Sequence, residues 1–183
     1  LAIGVIVAGN ARGISPSRVA PLFTNDLSIL SAQDSVLVAA GDRTIMSAVF
    51  DGAARQFVPR AIEDFAGPAA RMKRAGPLVV VQSVAGSLSF YDASALPAME
   101  LLGIAHPTVD YSDFTVVGDK LYLACGFQGV RRYDVSNHSS LTFLDSSLIP
   151  VHAVALTAQS GTLLVVDDYT GLYQFHAGDS ALV

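Results

Sequence analysis

Apolar residues along this chain come in short bursts separated by polar turns. Val36-Leu37-Val38, Leu78-Val79-Val80-Val81, Leu121-Tyr122-Leu123-Ala124 and Leu163-Leu164-Val165-Val166 each open such a burst. A short loop follows, then an alternating segment that ends on an aromatic residue: Phe50, Tyr91, Tyr133 and Phe175. Those aromatic residues stand 41, 42 and 42 positions apart, and the burst starts Val36, Leu78, Leu121 and Leu163 stand 42, 43 and 42 apart. Gly86, Gly129 and Gly171, at the step from loop to second segment, keep intervals of 43 and 42. Three markers with one period define an internal repeat. The texture inside each unit is Val, Leu, Tyr and Phe with period-two alternation, cut by Gly, Asp, Asn and Ser, which predicts strands and not helices. Ala61 to Ala75 alone shows a three-and-four spacing. It carries Gly67-Pro68, which breaks helices, and reads as a loop with room for one helical turn.

The best unit predicts four strands: Phe114–Val117, Leu121–Cys125, Val130–Asp134 and Leu141–Asp145, with Ala153–Leu156 opening the next unit. Four-stranded units of this length predict an all-β β-propeller built from antiparallel blades. The expected layout is a single propeller domain or propeller fragment over 1–183, with units near 25–66, 67–109 and 110–151 and partial units near 1–24 and 152–183. At the start, Ile3–Ala8 reads as a second strand; at the end, Gly171–Phe175 reads as a third. Val5 and Val36 are only 31 apart, so the period falters there. The expectation is therefore a partial ring, a piece of a larger ring, or a four- or five-bladed ring closed in an unusual way.

Composition narrows the classes. Of 183 residues, 51% are hydrophobic and 15% charged, against about 25% charged in an ordinary soluble domain. That excludes disorder. No burst approaches the roughly 20 apolar residues of a membrane helix. The net charge is −5, Lys73 and Lys120 are the only lysines, and Arg131-Arg132 would point to opposite faces of a strand. A nucleic-acid partner, which needs clustered positive charge, is not expected. Cys125 is the only cysteine. It excludes an intrachain disulfide and reads as a small buried hydrophobe. No charged region precedes an apolar run at Leu1, so no signal peptide is read, and a processed chain or a fragment is expected.

The segments Leu121-Tyr122-Leu123-Ala124 and Gly129-Val130-Arg131-Arg132-Tyr133-Asp134-Val135-Ser136-Asn137, echoed by Leu163 to Leu172, resemble the LVIVD-type propeller repeat of many secreted or surface bacterial and archaeal proteins. The likeness is good over about 115–175, fair over 76–103 and weak before 60. Leu96-Pro97 departs from the usual turn, and Phe50-Asp51-Gly52 lacks the Ser-Asn ending. The resemblance implies a propeller in an extracellular, periplasmic or cell-surface setting, and implies no defined activity.

No nucleophile elbow, P-loop, dinucleotide fingerprint or zinc-protease motif is present, and His106, His138, His152 and His176 lack metal-ligand spacing. Asp51, Asp92 and Asp134 follow the aromatic residues and suit turn capping. Asp167-Asp168 reads as a solvated loop. Asn137-His138-Ser139 matches a glycosylation acceptor. One convergent set follows from the repeat: the positions eleven before each burst are Asn25 (with Asp26 beside it), Gly67, Asp110 and His152. Gathered at a channel mouth, Asn25, Asp26, Asp110 and His152 could hold a small polar ligand or a divalent cation such as calcium. The loop residues Phe127, Gln128, Asp168 and Tyr169 are the candidates for partner binding. The leading expectation is a non-catalytic binding or scaffold module with a protein partner, within a larger assembly. The alternatives are a metal-dependent hydrolase or lactonase-like propeller, and a structural subunit of a surface layer or filament.

Overall fold

The computed structural model describes residues 29–33, 36–40, 44–51, 53, 56–64 and 67–177. Within them the chain is all-β: fifteen strands and no helix, hence no helix long and apolar enough to cross a membrane. The strands form four antiparallel sheets, each a meander in chain order. Sheet 1 holds β1 (Ile29–Gln33), β2 (Val36–Ala40), β3 (Thr44–Asp51) and β4 (Gln56–Asp64). Sheet 2 holds β5 (Ala69–Ala75), β6 (Leu78–Ser83), β7 (Leu88–Asp92) and β8 (Glu100–Ala105). Sheet 3 holds β9 (Asp113–Val117), β10 (Lys120–Ala124), β11 (Val130–Asp134) and β12 (Thr142–Ser147). Sheet 4 holds β13 (Ala153–Gln159), β14 (Thr162–Asp167) and β15 (Gly171–His176).

The apolar bursts are the second strands, and their continuity has a packing cause. A strand covered on both faces needs apolar side chains at every position. Val79 and Val81 of β6 pack toward sheet 1, with Val38, Ala40 and Ile45. Val80 points the other way, into a cluster with Phe114, Leu121 and Leu123 of sheet 3. Tyr122 and Ala124 of β10 in turn meet Leu156, Leu163 and Val165 of sheet 4. The core is thus three layers, each filled from two neighbouring sheets. A bulge recurs between third and fourth strands, at Ser47/Ala48, Phe90/Tyr91 and Arg132/Tyr133, and adds twist at the same step of each unit. Gly86, Gly129 and Gly171 have φ of 85°, 69° and 111°, a region closed to most side chains. At Gly129 a Cβ would also strike the Ser147 carbonyl. Asp51, Asp92 and Asp134 accept from the backbone N–H of Ala53, Ser94 and Ser136 at 2.9, 2.7 and 3.0 Å, as turn capping requires.

Two expectations change. Residues 61–75 are not a loop: the segment holds the end of β4 and all of β5, with Gly67-Pro68 in the connection between them. The strand was disguised because Arg71 and Lys73 interrupt its apolar pattern, and the structure shows what those charges meet. The fourth strand of sheet 3 runs Thr142–Ser147 and not Leu141–Asp145. Its partners cause the extension, since Val130 and Arg131 pair with Ser147 and Ser146. The partial unit proposed at 1–24 lies outside the described residues.

The first strands of the sheets lie side by side, β5 between β1 and β9, and β9 against β13. At their junction Asp113 is 3% exposed. Its carboxylate accepts from Arg71 Nη1 (3.0 Å), Lys73 Nζ (2.9 Å) and the backbone N–H of Leu156 (2.9 Å). Lys73 Nζ also donates to the Leu156 carbonyl at 2.7 Å. Burial lowers the Lys73 pKa, and the Asp113 carboxylate opposes that shift. One side chain therefore ties three sheets together. Asp113→Ala leaves the Lys73 ammonium without its counter-charge and the Leu156 N–H without its acceptor, and should lower stability by about 3 kcal/mol. Denaturant unfolding measures this, and a loss well under 1 kcal/mol would show the junction to be dispensable.

Candidate functional site

Two turns and one connection meet at one end of sheets 3 and 4. The turn 125–129 between β10 and β11 closes on itself through Gln128 N to Cys125 O and Gly129 N to Gly126 O, at 3.1 and 2.9 Å. It is pinned to the start of β13 by a reciprocal pair, Gly126 N to Ala153 O and Ala153 N to Gly126 O, at 2.9 and 3.1 Å. The turn after β14 is organised by Asp167, which is buried. Its carboxylate accepts from the backbone N–H of Tyr169 (2.8 Å), Thr170 (2.9 Å) and, across the connection, His152 (2.9 Å). Burial pushes the Asp167 carboxyl up, but these N–H donors more than offset it and bring it down to about 2.

This framework presents two rings to solvent, with a third, half-buried, against them. Phe127 and Tyr169 are each 69% exposed, with centroids 6.1 Å apart and planes 24° from parallel. The His152 ring lies against both, at 4.2 Å from Phe127 and 5.2 Å from Tyr169. His152 Nδ1 and Asp168 Oδ1 are 2.6 Å apart, so a carboxylate borders the cluster. The connection adds Leu148, Ile149 and Val151, 69%, 60% and 54% exposed. Leu148 lies close to Gly129, at the base of the Phe127 turn. The result is an apolar, aromatic surface bordered by the Asp168 carboxylate. It can bury a partner's apolar groups and orient them through Asp168 and the exposed Gln128.

The candidates from the sequence separate into groups. Phe127, Gln128, Asp168 and Tyr169 come together, and His152 joins them. Asp110 is exposed in the connection between β8 and β9, while Asn25 and Asp26 lie outside the described residues. Among the described residues no group of three His, Cys, Asp or Glu side chains is placed to hold a metal ion. Cys125 is buried, and burial pushes its thiol up to about 11, which leaves little thiolate at neutral pH. Asn137 is exposed, with its side-chain oxygen accepting from Ser139 N at 3.1 Å. At the opposite end of the sheets, the turns at 75–78, 117–118 and 159–161 border an open depression of about 780 Å³.

Sequence reasoning missed the ionic junction. Its signal was present: Arg71 and Asp113 are opposite charges at one phase of the repeat, 42 residues apart.

No family model and no curated protein matches the chain. Solved structures do. The computationally designed Ika4 protein superposes with a TM-score of 0.61 at 9% identity, over 85% of this chain and 94% of that one. The computationally designed Ika8 protein superposes with a TM-score of 0.56 at 10% identity, over 85% of this chain and 47% of that one. The chain thus spans about half the length of the second. At these identities the likeness concerns the fold alone.

Asp167 predicts an acid limit for this end of the molecule. Its folded pKa lies below the unfolded carboxylate value near 4. The stability it contributes is present above that value and is lost as pH falls toward 2. Asp167→Asn should melt earlier than the wild type at neutral pH, and the gap should close between pH 4 and 2. A gap in melting temperature that stays constant over that window would remove Asp167 as its source.

Proposed function

We propose that the chain is a β-propeller, or a length of one, that serves as a non-catalytic binding or scaffold module for a protein partner. The fold part rests on four successive meanders whose first strands are neighbours and whose inner sheets are covered on both faces. The resemblance of residues 115–175 to LVIVD-type repeats adds to it, and is the ground for reading the module as extracellular, periplasmic or at the cell surface.

The functional part rests on one observation: exposed Phe127 and Tyr169 gather around half-buried His152, beside a connection that exposes Leu148, Ile149 and Val151. Solvated surfaces seldom gather apolar residues in this way without a partner. Aromatic anchors beside a polar group are the composition of interface centres. The site is held by rigid turns, since Asp167 fixes one and the Gly126–Ala153 pair fixes the other. Little ordering is left for binding to impose.

The test is selection of peptides against the folded chain from a displayed library. Peptides so recovered should lose at least tenfold in affinity for the Phe127→Ala/Tyr169→Ala double variant, about 1.4 kcal/mol. The melting temperature of that variant should hardly change, because both rings are mostly in solvent. Peptides that bind the double variant as well as the wild type, or that map to the depression at the other end, would sink the assignment of this surface.

A further inference from the structure

Sheet 4 buries one face and, among the described residues, leaves the other without a covering sheet. Leu163, Val165 and Phe175 pack into the core layer shared with sheet 3. The opposite face carries Leu164, Val166 and Leu172, with Val166 paired across to Leu172. Val166 is 41% exposed and Leu172 66%. In the repeat these three stand 42 residues after Tyr122, Ala124 and Val130, and 84 after Val80, Gln82 and Leu88. Tyr122, Ala124 and Val130 are fully buried because sheet 4 covers them. Val80 and Leu88 are buried because sheet 3 covers them. Val38, Ala40 and Ile45 play the same part toward sheet 2. The same face is thus used three times within the chain to seat the next sheet, and the fourth instance keeps its apolar residues with no sheet of the described residues upon it. The edge of the same sheet is open among them as well. β3, β7 and β11 each pair with a fourth strand, and among the described residues β15 pairs with β14 alone.

We propose that this face is an interface between copies of the chain, in which sheet 1 of a second copy stacks on sheet 4 as sheet 4 stacks on sheet 3. At its other end the chain offers the matching strands β1 and β2. By backbone register Leu30, Leu37 and Ala39 stand in sheet 1 where Leu156, Leu163 and Val165 stand in sheet 4, since Leu30 pairs with Ala39 as Leu156 pairs with Val165. The contact continues a packing already made three times in each copy. It joins the last sheet of one copy to the first of the next, so it is heterologous, and copies close into a ring or extend as a filament. This interface goes beyond the loop-surface reading and is independent of it: the loop surface is tested at Phe127 and Tyr169, and the stacking face at Val166 and Leu172.

The experiment is light scattering on the purified 183-residue chain during size-exclusion chromatography. The expected mass is a multiple of 19.1 kDa, and Val166→Asp/Leu172→Asp should raise the concentration at which assemblies dissociate by at least tenfold. Hydrogen exchange of the β15 amides gives a second readout that needs no variant: protection should fall as the wild type is diluted. A wild type that stays monomeric at its highest soluble concentration would overturn the proposal. So would β15 protection independent of concentration, which would mark a segment of the same chain as the occupant, or association that the two aspartates leave intact.

Discussion

The carboxylate of Asp113 is the constraint on which the arrangement of sheets 2, 3 and 4 depends. Each sheet is a local meander that pairs with itself, so ladder hydrogen bonds say nothing about how one sheet meets the next. Apolar layers between sheets supply adhesion, but adhesion without direction: a layer of Val, Leu and Tyr tolerates sliding. Asp113 supplies direction, because it takes donors from β5 and from β13 while its own backbone lies in β9. Lys73 completes the tie by donating to both Asp113 and the Leu156 carbonyl. A buried carboxylate with donors on two sides has one satisfied position, and that position sets the register of three first strands.

Around that junction the molecule follows from a single period. A residue 42 positions further on meets the same neighbours one sheet later, which is why Val80, Tyr122 and Leu164 share a role. The period was legible because the features that carry it are compulsory. The burst must be apolar on both faces, the glycine must take positive φ, and the aspartate must cap the turn. The strands of sheet 3 could be drawn within a residue or two from these marks alone. β5 could not, because Arg71 and Lys73 put charges into a short strand whose apolar alternation they hide. A charge in a strand reads as a loop until its partner is known, and the partner lies 40 or more residues away.

The loop surface was legible in part, for a similar reason. Phe127 and Tyr169 hold the same phase, 42 residues apart, so turns of neighbouring sheets could be expected to present them side by side. The place of His152 could not be read that way. Its phase is shared with Asp110, which suggests a gathering around an axis. In the structure its backbone N–H is bound by Asp167 and its ring is drawn between Phe127 and Tyr169. Local turn chemistry overrides the repeat here, because a buried carboxylate with three backbone donors is stiffer than the connection it organises.

A repeat protein makes its backbone from what the units share and its function from what they do not. At the phase of Phe127 and Tyr169, sheet 2 has Ala85; at the phase of Asp168, sheets 2 and 3 have Val84 and Gly126. These positions sit at turn tips, where side chains are largely free of the core and substitution costs little stability. Among the described turns, those of sheets 3 and 4 bring two rings and a carboxylate to one place. The outer face of sheet 4 shows the converse. Leu164, Val166 and Leu172 are not tip residues, and in solvent nothing favours keeping them apolar. Their chemistry matches the interior positions of the other sheets because the stacking role of the repeat is retained there. Divergence at the tips and sameness on the flat faces together separate a surface made for recognition from a surface made for stacking.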